Sequence, residues 1–154
     1  MSVSVSGKTR ANAIITVHTY EPAPYESPPD GPALVRIHVA ERFNGDIEAD
    51  GVTEFLQAAR PDGSASFVGI ERVTGTIAGR RGTFLLQDAG TVGGSVVDGE
   101  WFVVPGSGTG ELTGLRGERA KVETRLENYL KQLAYTNSFF TEIEEGYDAN
   151  DSHN

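Results

Sequence analysis

Apolar and polar positions alternate at a period of two along most of this chain as far as Gly117, and glycine-rich breaks interrupt the alternation. That grammar is a series of antiparallel strands joined by tight turns. Ala11 to Tyr20 is rich in β-branched residues and reads as a first strand. In Leu34 to Phe43, Val35, Ile37 and Val39 share one face, and Leu34, Arg36, His38 and Ala40 share the other. In Asp46 to Leu56, Ile47, Ala49, Gly51, Thr53 and Phe55 oppose Asp46, Glu48, Asp50, Val52 and Glu54, and the acidic face points to water. Ser64 to Ile77 is a fourth strand, with Gly69 and Gly75 as places for a bend. Gly82 to Asp88 and Ser95 to Val104 are the fifth and sixth, linked by connections short enough for hairpins, and Glu111 to Arg116 adds a short seventh.

Two segments depart from the alternation. The stretch E-P-A-P-Y-E-S-P-P-D-G-P, Glu21 to Pro32, holds five of the seven prolines and reads as a stiff loop or flap. After Gly117, Val122, Leu126, Tyr129, Leu130 and Leu133 recur at helical spacing, so Ala120 to Tyr135 is expected as one amphipathic helix. Ser138 to Tyr147 returns to alternation as a last strand. The expected fold is mainly β: a small, closed, antiparallel eight-stranded β-barrel with one C-terminal amphipathic helix, in a single domain over residues 1–147. Residues 148–154 read as a disordered acidic tail. A barrel of about eight strands has an interior that side chains can fill or that holds one small ligand.

The runs A-S-F-V-G-I-E-R-V-T-G, R-R-G-T-F-L-L-Q-D-A-G-T and W-F-V-V-P-G-S-G-T-G-E-L-T-G-L-R-G resemble a family of uncharacterised bacterial proteins related to the allene oxide cyclase barrel. The likeness extends upstream through Pro24-Tyr25, Leu34 to Arg36 and F-N-G-D-I-E-A-D-G-V-T-E-F-L. It implies a calycin-like barrel with an interior cavity. In the plant cyclases that cavity folds an unstable fatty-acid epoxide for closure to a cyclopentenone, and related bacterial barrels serve as natural-product cyclases. F-V-G-I-E is similar to the plant strand C-V-V-I-E, which implies that Phe67, Gly69 and Glu71 face inward. Bacterial relatives commonly carry histidine where this chain has Asp88, and the segment after Gly117 does not match.

Glu71 is the leading candidate for chemistry, because it is a lone charge in an apolar strand. Inside a cavity its pKa would rise, and a neutral carboxyl could protonate an epoxide or polarise a carbonyl. The structural alternative pairs it with Arg36, Arg72 or Arg80. Asp88 is in phase with Phe84 and Leu86 and would be a second inward acid. Arg36 and His38 share a face; they bind a ligand's polar end if inward and are ordinary surface if outward. Glu71, Asp88 and Arg36 are therefore the catalytic candidates. Tyr20, Tyr25, His38, Phe67, Phe84 and Trp101 are the ligand-binding candidates, with Tyr20 and Tyr25 placed to cap the barrel mouth. In a hollow barrel, core rings such as Phe67 and Trp101 are also cavity wall.

Composition removes several classes of function. There is no cysteine, so thiolate nucleophiles and cysteine-bound metals are excluded. His18, His38 and His153 are too dispersed for a metal triad, and neither metal nor cofactor is expected. The net charge of −9 disfavours nucleic acid and anionic membranes. G-S-G-T-G, Gly106 to Gly110, lacks the lysine and the following helix of a nucleotide loop. The chain has no apolar run long enough to span a bilayer and no export signal, so a cytoplasmic protein is expected. The reading is a cofactor-free cyclase or isomerase of an apolar natural-product or lipid-like intermediate. The alternative is a non-catalytic carrier or sensor of the same fold. Burial of the helix stripe against a second copy would instead make a homo-oligomer.

Overall fold

A computed structural model describes residues 9–94, 96–117, 120–125 and 138–147. They form β1 (Thr9–Glu26), β2 (Ala33–Gly45), β3 (Ile47–Ala59), β4 (Ala65–Ile77), β5 (Arg80–Gly93), β6 (Val96–Val103), β7 (Leu115–Gly117), β8 (Ala120–Arg125) and β9 (Ser138–Tyr147), with a 3-10 turn at Gly110–Leu112. All nine strands lie in one sheet in the order β7-β9-β1-β2-β3-β4-β5-β6-β8. Strands β1 to β6 are neighbours in space in the same order as in sequence, and every pairing is antiparallel.

The sheet is open, which corrects the closed eight-stranded barrel. Its terminal strands, β7 and β8, share no ladder. Both are short, with three and six residues, and short end strands offer few hydrogen bonds with which to close a ring. The sheet nevertheless curls strongly. One apolar cluster joins Ala11, Ala13 and Ile15 of β1 to Phe84, Leu86, Trp101 and Val103 of β5 and β6. A flat single layer would leave both faces wet. Here Phe43, Ile47, Val73 and Leu86 are each at 0% exposure.

The expected helix is corrected too. Ala120–Arg125 is a strand that pairs with β6 from Trp101↔Ala120 to Val96↔Arg125. Ala120, Val122 and Thr124 also fit a period of two, and the available edge of β6 decides between the two periods. The rest of that expected helix, and the expected tail at 148–154, lie outside the described residues. Among the described residues there is no α-helix, and no helix is long and apolar enough to cross a membrane.

The proline-rich stretch is partly strand. β1 continues through Pro22 and Pro24 to Glu26, paired with β2 as Pro22↔Ile37 and Pro24↔Val35. Its other partner, β9, covers only Thr9 to Thr16. Beyond that point β1 is an edge among the described strands, and an edge tolerates residues without an N–H. A register shift between Val17 and Thr19 sets His18 apart as an extra residue. A bulge of this kind reverses the parity of the residues on its C-terminal side. Tyr20 therefore falls opposite Val39 and packs with Val17, Val35 and Ile37 on the inner face.

G-S-G-T-G has a structural task. β6 pairs with β5 only from Leu86 onward, and the loop substitutes for it over the preceding residues. Leu85 N–H donates to Ser107 Oγ at 3.0 Å, Thr83 N–H donates to Thr109 Oγ1 at 3.0 Å, and Thr109 N–H donates to Thr83 O at 2.8 Å. Gly82 lies directly under the Thr109 carbonyl, where a Cβ would collide. Ser107→Ala should lower stability by about 1 kcal/mol, because it strands the Leu85 N–H. A urea unfolding midpoint checks it, and an unchanged midpoint would refute the role given to the loop.

Candidate functional site

The inner face is layered along the strand direction. At one end Phe43, Ile47, Ala49, Val73, Phe84, Leu86 and Val103 form a fully buried floor. At the other, Val17, Tyr20, Val35, Ile37 and Val39 pack with half-buried Phe55. Between them lies a polar layer: Glu41 on β2, Thr53 on β3, Glu71 on β4 and Asp88 on β5. Glu71 is at 0% exposure, Asp88 at 7% and Glu41 at 8%, so the cluster touches solvent only at its Glu41 and Asp88 edges.

Gly51 brings two of these acids together. It faces Glu41 across the β2–β3 ladder, and its β4 partner is Val73, two residues from Glu71 on the same face. A Cβ at residue 51 would collide with the Glu71 carboxyl and come within 3.0 Å of Phe43 Cε1. The missing side chain lets Glu71 cross β3 and meet Glu41. Neither Glu71 oxygen has a hydroxyl or N–H donor. The Thr53 hydroxyl is close enough to temper the rise in the Glu71 pKa but makes no hydrogen bond of good geometry.

Two carboxyls can share a hydrogen bond only when one of them carries a proton. Burial, and then the charge of Glu41, hold the Glu71 pKa well above the ordinary carboxylate range. Burial also raises Glu41, and the hydrogen bond with Glu71 offsets part of that rise. One proton is therefore shared between Glu71 and Glu41. Asp88 is pushed up to about 8, first by burial and then by Glu41. That Glu41 on β2 acts on Asp88 on β5 reflects the curl, since two strands separate them in the sheet.

Aromatic rings frame the acids. Trp101 is the cross-strand partner of Asp88 and lies with its ring centroid 6.2 Å from that of Phe43. On the opposite side Phe55 leans over Gly69 and meets Phe67 edge-on at 5.5 Å. Phe67 in turn lies over Gly90 and Gly99. Besides the two Glu71 oxygens, three further buried polar atoms in this region have no hydrogen-bond partner among the described residues: Thr53 Oγ1, Asp88 Oδ1 and Trp101 Nε1. Buried polar groups are normally satisfied, so such a grouping marks a place built for something other than packing.

Of the residues singled out in the sequence, Glu71, Asp88, Phe67, Trp101 and Tyr20 share this inner face, and Phe84 is part of its floor. Arg36 is corrected to the exposed outer face, away from the acids. His38 also stands outside, 2.8 Å from Glu54 through Nδ1. Both obey the parity of β2, in which Val35, Ile37 and Val39 point in. Tyr25 is 56% exposed near the end of β1. Glu41, Gly51 and Thr53 were missed as site residues. Parity places Glu41 in phase with Val39 and Phe43, and Thr53 in phase with Ala49 and Phe55. The paired role of Gly51 has no signal within its own strand. No group of three or more acidic or histidine side chains among the described residues has the geometry of a metal site.

A family model described as a protein of unknown function, DUF3224, matches residues 11–135. A crystal structure of a protein of unknown function from the DUF3224 family of Shewanella oneidensis MR-1 is 30% identical. That match covers 92% of this chain and 98% of the other, with a TM-score of 0.73. No curated protein matches. Neither the family nor the solved structure carries an activity, and neither ties the chain to allene oxide cyclases. With the sheet open as well, the cyclase and isomerase reading drawn from that resemblance loses its support.

Proposed function

Because the chain belongs to the DUF3224 family, which has no assigned activity, we propose a function from the geometry alone: it is a binding protein for one small amphipathic molecule. The ligand's apolar body lies against Tyr20, Phe67 and Trp101, and its polar end meets Glu41, Glu71 and Asp88. The observation that carries this reading is the burial of three acids from three strands on one face, with no described basic side chain beside them. A core gains nothing from such a group, because apolar residues of similar volume pack there at lower cost. Costly buried polar clusters persist where they serve a site. The chain contains no cysteine, so the site would work unchanged under reducing conditions, and a cytoplasmic setting is part of this reading.

Trp101 is the single tryptophan of the chain and lies inside the proposed site, so its emission reports on that site alone. Native mass spectrometry of protein purified from its own host should detect a bound small molecule, and adding that molecule back should change Trp101 emission. The double variant Glu71→Gln and Asp88→Asn should weaken binding at least tenfold. An empty protein, together with silent Trp101 emission across a panel of amphipathic compounds, would overturn the proposal.

A further inference from the structure

Resting on the ligand-site reading, we propose that the molecule bound is an organic cation, a primary amine on an aromatic or aliphatic body, whose ammonium donates to Glu41, Glu71 and Asp88. The acceptors fit this donor in number and kind. A primary ammonium has three N–H donors and no acceptor, and three carboxyls converge on the layer from β2, β4 and β5. Both Glu71 oxygens and Asp88 Oδ1 are buried without a conventional donor.

Among the described side chains, the surrounding elements supply no cation of their own. In register beside the acids are Val17 from β1, Gly51 and Thr53 from β3, and Trp101 from β6, with Tyr20 of β1 one step further along, opposite Val39. The arginines whose side chains are described point elsewhere. Arg36, Arg60, Arg72, Arg80, Arg81 and Arg116 are exposed. Arg42 turns outward to Glu48 at 3.2 Å and Asp50 at 3.4 Å. The rings of Phe43 and of Trp101, the cross-strand partner of Asp88, adjoin the layer, and aromatic rings attract organic cations. The net charge of −9 draws cations towards the protein at long range.

Binding of this kind is linked to protons. The free cluster holds protons that relieve repulsion between its acids; an ammonium takes over that task from one of them and releases it to solvent. No bond is made or broken beyond that O–H bond. A neutral ligand leaves the protons in place. The two classes are thus separable by titration calorimetry on the full chain in buffers of different ionisation enthalpy. The probes are phenethylamine and hexylamine, set against phenethyl alcohol and hexanol.

The amines should bind at least tenfold more tightly at pH 7.5 than at pH 5.5, with proton release, and should displace the alcohols. Asp88→Asn should weaken the amines at least tenfold and reduce the protons released. Alcohols that bind as well as amines, with affinity flat in pH, would overturn the cation assignment and leave the ligand site standing. No heat from either class, with Trp101 emission unmoved, would overturn both.

Discussion

Thermal unfolding of the free protein should show its midpoint falling steadily as pH rises from 5.5 to 8.5, by about 10 °C in total. The sign is set by Asp88. Its ordinary pKa is 3.8, and burial together with the charge of Glu41 raises it to about 8 in the folded chain. Below the unfolded value the group is protonated in both states and costs nothing. Above it the unfolded chain ionises and the folded chain does not. Stability is therefore lost as pH rises towards 8, at up to about 1.4 kcal/mol per pH unit. Glu71 is raised in the same direction and adds to the slope. A loss of several kcal/mol over this window corresponds to roughly 10 °C in a domain of this size. Calorimetric scans at constant ionic strength check it. Asp88→Asn cannot ionise and should flatten much of the slope while raising the midpoint at pH 8. A variant with the wild-type slope would place the pH dependence in the general negative charge of the chain rather than in the buried acids.

The parity of the strands was legible because one face is buried throughout. In β3 the alternation Ile47, Ala49, Gly51, Thr53 against Glu48, Asp50, Val52, Glu54 is reproduced residue by residue as buried against exposed. The same parity carried Glu71 and Asp88 to the inner face. Val35, Ile37 and Val39 make the better core face of β2, and that same parity sets Arg36 and His38 outside. What local pattern could not reach was anything set by partners distant in sequence. Whether a sheet closes depends on the end strands β7 and β8, which are 115–117 and 120–125 and show nothing of their spatial relation in their own residues. Prolines 22 and 24 read as loop because a proline forbids only a paired N–H, and which side of β1 is paired is a property of β9. Ala120–Arg125 fits both periods, and the edge of β6 chose the extended one.

The acid layer explains a feature of the chain that packing alone would not. Among the described residues, fully buried Glu71 is held by no arginine, so no described ion pair lets it cement the sheet. Its shared proton makes the layer tolerable, and the glycines opposite Glu41, beneath Phe55 and beneath Phe67 make it sterically possible. The glycine-rich character of the chain thus has two parts. Some glycines turn hairpins; Gly51, Gly69, Gly90 and Gly99 make room for side chains reaching over the sheet from neighbouring strands.

Gly51→Ala tests that arrangement directly and should destabilise the protein by roughly 1–3 kcal/mol, the range for overpacking a close-packed interior. The added methyl takes the place of the Glu71 carboxyl and crowds Phe43. Phe43 cannot retreat, because it is at 0% exposure in the floor cluster. The carboxyl must therefore swing away from Glu41, and the shared proton is lost with it. Truncating Glu71 removes the collision. In the background of Glu71→Ala, Gly51→Ala should then cost less than half of its effect in the wild type. A double-mutant cycle by urea unfolding should return a coupling of about 1 kcal/mol or more. Additive costs would mean that Glu71 does not lie over Gly51, and the Glu41–Glu71 pair would fall with it.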